Sequence, residues 1–160
     1  MEILFTCRPS MPVSKLIMEI TGESASHTAI RNGDFVYQSS FLGVEQVKVA
    51  DFLSEYKVVY SLKPVSGRLD EADLVERLVN RFTELRGTLY DFPGFLYLSL
   101  RYSLASAFNL KIPKKNLWQL SGMYICTEFV EDIIDIKSDP MITPYKLYLK
   151  LKDSGKWVDC

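Results

Sequence analysis

The sequence has a single histidine, His27, among its 160 residues, and its three cysteines, Cys7, Cys126 and Cys160, form no CxxC pair and no Cys/His ligand cluster. Neither a zinc site nor a disulfide framework is therefore indicated, so the expectation is no metal, no cofactor and a reduced, cytoplasmic setting. Excess charge is lacking as well. With 19 basic and 20 acidic residues the net charge is −1, which leaves no electrostatic footprint for nucleic acid. Met1 to Arg8 has too short an apolar run, and an acid at Glu2, for a signal peptide. The most apolar stretch, Phe92 to Leu110, is interrupted by Arg101 and falls short of a membrane span. Repeats and low-complexity linkers are absent. What is present is 48% hydrophobic residues, enough to bury a substantial core, and the expectation is one α+β domain over residues 1–160.

Periodicity places the elements. Ile3 to Cys7 is an apolar run of strand length, closed by Arg8-Pro9-Ser10. Ser10 to Thr21 reads as a helix with Val13, Leu16, Ile17 and Ile20 on one face and Gly22 at its end. Ser26 to Arg31 and Phe35 to Ser39 read as a hairpin around Asn32-Gly33-Asp34, with a third strand from Val44 to Val49. A short helical turn over residues 51–56 precedes a β-branched strand from Lys57 that ends by Pro64. Asp70 to Arg86 is the clearest helix. Asp70 serves as its N-cap, Leu74, Leu78, Phe82 and Leu85 form its stripe, and Gly87 terminates it. Phe92 to Leu110 reads as a core helix or helical pair, Lys111 to Asn116 as a basic connector to Trp118, and Ile136 to Pro140 as a loop. Thr143-Pro144 opens a helix through Leu151, and Lys156 to Val158 is a last strand.

The chemistry concentrates at Met123 to Ile134, just after Ser121-Gly122. Ile125, Phe129, Val130, Ile133 and Ile134 recur at helical spacing, which puts Cys126 in the first turn of an amphipathic helix. A helix N-terminus favours thiolate over thiol, and the thiolate is the nucleophile. A buried, inert cysteine is the alternative, and a base elsewhere decides between them. His27 is that base: one Cys and one His, distant in sequence and adjacent in the fold, are the pattern of a thiol hydrolase. If the hairpin pairs as expected, Gln38 reaches the imidazole and holds its working tautomer.

The motifs Ser26-His27-Thr28-Ala29-Ile30, Gly43-Val44, Gly87-Thr88-Leu89-Tyr90-Asp91 and Tyr124-Ile125-Cys126-Thr127-Glu128-Phe129-Val130, in that order, resemble the permuted papain-like hydrolases of the NlpC superfamily, in particular the YiiX/YaeF-like branch. There the His strand precedes the Cys helix, as here. The resemblance implies an α+β, papain-like fold with an antiparallel sheet packed against the nucleophile helix. It also implies Cys126, His27 and Gln38 as the catalytic set, with Tyr90, Asp91 and Tyr124 at the substrate. Two positions depart from the family. Gln38 stands where an acid is usual, leaving the imidazolium without a neutralising charge, and Thr127 stands where Ser or Asn is usual.

The implied reaction is acyl transfer through a Cys126 thioester, with hydrolysis of an amide or peptide bond as the leading reading. The backbone N–H of Cys126 is one oxyanion donor. The expected partner is a peptide, isopeptide or acyl-ester substrate, with no nucleic acid. A lipid-directed acyltransferase or thioesterase, suggested by the aromatic segment from Phe92 to Phe108, and a non-catalytic binding module stay open. An apolar groove leading to Cys126 favours the lipid reading, and a polar groove with basic groups favours the peptidase.

Overall fold

The computed structural model describes residues 1–108, 117, 123–137 and 142–160, with Ser106 as backbone only. Ser121-Gly122, the Lys111 to Asn116 connector, Trp118 and the end of the loop leading to Pro140 lie outside the described residues.

Strand β1 (Glu2–Cys7) sits near the centre of a six-stranded antiparallel sheet. Around it lie β2 (His27–Asn32), β3 (Phe35–Ser40), β4 (Gly43–Lys48), β5 (Lys57–Pro64) and β6 (Trp157–Asp159), in the spatial order β4-β3-β2-β1-β5-β6. Among the described residues the helices are α1 (Pro12–Thr21), α2 (Val49–Glu55), α3 (Glu71–Leu85), α4 (Phe92–Phe108), α5 (Cys126–Ile133) and α6 (Pro144–Asp153). The α+β expectation holds, and the described part of the apolar segment, Phe92–Phe108, is one helix.

Side chains alternate across a pleated strand, and β1 is apolar on both faces, so it needs cover on both. Ile3 and Phe5 join the main core with Leu78 and Phe82 of α3, Phe129 and Ile133 of α5, and Leu147 and Leu151 of α6. Leu4 faces the other way, onto Ala29, Val36 and Phe52 under the short α2. A third cluster, Tyr90, Tyr97, Leu98, Tyr102 and Ile125, joins α4 to the entry of α5.

Two local devices match their sequence signals. The Asp70 side chain accepts from the N–H groups of Ala72 and Asp73 at 2.9 and 3.4 Å, and Thr143 Oγ1 accepts from Lys146 N–H at 3.3 Å. Gly43 has a different reason to be glycine. Its φ is +101°, and a Cβ there would stand 2.4 Å from the Thr88 carbonyl oxygen, because Val44 N–H bonds that oxygen and Gly87 N–H bonds Val44 O. The Gly43-Val44 and Gly87-Thr88 motifs are therefore two sides of one backbone joint.

Candidate active site

The site forms where the sheet opens. Strands β2 and β3 pair only over Ile30–Asn32 against Phe35–Tyr37, so the strands carrying His27 and Gln38 are unpaired with each other beyond Ile30. The N-terminus of α5 fills this split. Ser39 Oγ donates to Tyr124 O at 2.8 Å, and the Thr28 backbone N–H is directed at the Cys126 sulfur.

Cys126 is the first residue of α5, behind Ile125 in extended conformation. Ile125 has no side-chain acceptor to cap the helix. The Glu128 carboxylate reaches back to accept Ile125 N–H at 3.1 Å, which is half of a capping box. The first N–H groups of a helix have no intrahelical acceptor, so the Cys126 N–H is placed as an oxyanion donor. Thr127 Oγ1, buried and without a hydrogen-bond partner among the described residues, adds a hydroxyl beside it.

His27 stacks on Tyr56 with ring centroids 5.1 Å apart. Its Nε2 lies 2.8 Å from Gln38 Oε1, so the expected tie to Gln38 is present. One cleft is lined by Cys126 and His27 together, with Ser26, Ser39, Tyr56 and Tyr90 around them.

The electrostatics overturn the expectation of a depressed thiol. Burial pushes the Cys126 thiol above its ordinary pKa, against the Thr28 and Thr127 backbone N–H groups, and the Glu128 carboxylate adds to the rise. Burial likewise lowers His27 to about 4, with the Gln38 hydrogen bond opposing the drop. The resting pair is thus neutral thiol and neutral imidazole, not thiolate and imidazolium. Desolvation exceeds what a single helix terminus contributes, typically about 0.3–1 kcal/mol at exposed sites and up to about 2 kcal/mol when partly buried.

The three expected substrate residues separate. Tyr90 is buried and lines the site cleft. Asp91 is fully buried, and its Oδ1 accepts Gly94 N–H at 2.9 Å, so it caps α4; a Cβ on Gly94 would meet its Oδ2 at 2.3 Å. The Tyr124 carbonyl accepts from Ser39 and from Asp91 N–H, while its hydroxyl is 3.5 Å from Arg81 Nη2, so its side chain turns from the cleft toward α3.

Two features escaped the sequence reading. Glu45 stands directly across from Gln38 in the β3–β4 ladder and accepts from its Nε2 at 3.1 Å. A second cleft, about 500 Å³ including its open mouth, runs from Cys126 between α1 and α4 and is lined chiefly by apolar groups, among them Ile17, Ile20, Phe95, Leu98 and Ile142. Helix α4 is apolar on its outer side too, where Phe92, Leu96 and Leu100 are about half exposed. Among the described residues no helix is long and apolar enough to cross a membrane.

No family model matches the sequence, and no curated protein sequence does either. Among solved structures, the crystal structure of the metalloprotein yiiX from Escherichia coli O157:H7 superposes with a TM-score of 0.55 at 15% identity, over 99% of this chain and 94% of that one. The α+β fold described above, with its antiparallel sheet packed against the Cys126 helix, is one that this chain shares with yiiX along nearly its whole length.

Proposed function

We propose that the protein is a thiol hydrolase of the permuted papain-like, NlpC type. Cys126 attacks a carbonyl, His27 takes the thiol proton, and an acyl thioester forms on Cys126 as the leaving group takes that proton from the imidazolium. Water, deprotonated by His27, then releases the acid and restores the thiol. The observation that carries this reading is one cleft holding both Cys126 and a His27 whose Nε2 is already committed to Gln38. With Gln38 Oε1 accepting, Nε2 carries the proton and Nδ1 keeps the lone pair that a thiol needs. Because both groups rest neutral, the proton moves as substrate arrives.

The apolar cleft favours an acyl ester or thioester over a peptide. Arg8, the basic residue on the rim of the cleft that holds Cys126 and His27, is already paired with Glu55 at 2.7 Å and offers little to a peptide carboxylate. Among the described residues no three His, Cys, Asp or Glu side chains converge as metal ligands, so these residues do not fit the metal for which yiiX is named, and no step uses one.

The test is intact mass after exposure to aryl esters of increasing chain length, acyl thioesters and peptides. An acyl adduct on Cys126 is expected, absent in Cys126→Ser. kcat/KM should rise about fourfold for each methylene that enters the cleft, from about 0.8 kcal/mol per CH₂. The absence of any Cys126 adduct with all three classes would overturn the proposal.

A further inference from the structure

Gln38 is almost fully buried, with 4% of its surface exposed, and both ends of its amide are engaged: Oε1 at 2.8 Å from His27 Nε2, and Nε2 donating to Glu45 Oε1 at 3.1 Å. The same Glu45 oxygen accepts from Ser40 Oγ at 2.5 Å, which fixes the carboxylate in place. A carboxylate only accepts, so the amide nitrogen must face Glu45 and the amide oxygen must face the imidazole. An amide oxygen also only accepts, so His27 Nε2 must carry the proton. Flipping the amide would present an N–H to Nε2, move the imidazole proton to Nδ1, and leave that nitrogen unable to take a proton from a thiol.

We infer that Glu45 is a positioning residue for His27, acting through Gln38: its carboxylate sets the amide orientation, and the amide sets which imidazole nitrogen is the base. The inference rests on the reading of His27 as the base, but its structural content is the tautomer, which is measurable without any substrate. Position 45 faces Gln38 only because β3 and β4 pair in this register, Gln38 opposite Glu45 and Ser40 opposite Gly43.

His27 is the sole histidine, so a long-range ¹H–¹⁵N spectrum contains one imidazole. At pH 7 the wild-type protein should show the Nε2–H tautomer alone. Glu45→Val suits an edge strand and removes the acceptor, and two amide orientations of similar energy should then bring the Nδ1–H form to about half of the molecules. Cys126 acylation should fall about twofold, in proportion to the competent fraction, with KM unchanged. Glu45→Gln keeps the size of the side chain but can turn either its oxygen or its NH₂ toward Gln38, so it too should give a mixture of tautomers. Glu45→Ala serves as the second variant should the Val protein fail to fold. An unchanged Nε2–H tautomer in the folded Val or Ala protein would overturn the inference. A shifted tautomer in a protein whose wild type forms no acyl adduct would sustain Glu45's role and sink the hydrolase reading alone.

Discussion

Lowering the pH should destabilise this protein through His27 before most of its carboxylates matter. Burial disfavours the charged imidazole and lowers the folded pKa to about 4, against about 6.5 in an unfolded chain, with the Gln38 hydrogen bond opposing part of the drop. Between those values the unfolded state binds the extra proton and the folded state does not. The stabilisation is therefore fully present above pH 6.5, is lost as the pH falls to 4, and does not change further below it. A shift of about 2.5 units at 1.36 kcal/mol each gives an upper value of about 3 kcal/mol, a large share of the roughly 5–15 kcal/mol that holds a domain together. The perturbation is His27→Gln, which keeps an N–H for Gln38 Oε1 and removes the titration. Urea unfolding of both proteins at pH 7, 5.5 and 4 isolates the term, since all other groups cancel in the difference. The wild type should lose about 2–3 kcal/mol more than the variant between pH 7 and 4. Parallel losses, together with an imidazole NMR titration centred at 6.5, would refute the claim that burial controls this residue.

Three further outcomes are expected. Gly43→Ala, which combines a φ of +101° with a 2.4 Å approach to Thr88 O, should lower Tm more than Gly33→Ala, whose φ is +58° with nothing within 4 Å; about 2 kcal/mol against about 1 corresponds to roughly 4–8 °C against 2–4 °C in a thermal melt. Thr127→Val should leave stability unchanged or raise it by about 1 kcal/mol, because the buried hydroxyl has no hydrogen-bond partner among the described residues; a loss of that size in urea unfolding would show that it is bonded. Iodoacetamide at pH 7 should label exposed Cys160 before buried, protonated Cys126, as read by peptide mass after a time course. Faster labelling of Cys126 would restore the depressed thiol that its helix-start position alone suggests.

Elements with strictly local signals were legible in the chain. Asp70 before a Leu74-Leu78-Phe82 stripe and Thr143 before Pro144 carry their caps with them, and Cys126 opens its helix where the apolar period begins. Gln38 was legible as a partner of His27 from its place in the motif order, but the pair meets across the split, since the hairpin stops pairing at Ile30 and Tyr37. Features that depend on register or on packing between distant helices were hidden. Glu45 faces Gln38 in one register, and a slip of one residue would turn it to the opposite face. Asp91 in a Tyr-Asp motif reads equally as a ligand or a cap until Gly94 is seen on it. The apolar cleft exists because α1 and α4 pack side by side, which no periodicity encodes. The thiol's rise followed from the same cause, since how deeply Cys126 is buried is set by the elements around it.

The split between β2 and β3 also sets an order of assembly. The two strands that carry His27 and Gln38 emerge early in synthesis, and the helix that fills their gap emerges about a hundred residues later. At translation rates of roughly 5–20 residues per second, about 5–20 s separate the synthesis of the strands that carry His27 and Gln38 from that of Cys126. Contacts of such long sequence separation form late in folding as well. A chain that ends before Cys126 therefore lacks the proposed nucleophile, and the candidate site is complete only once α5 has closed the sheet.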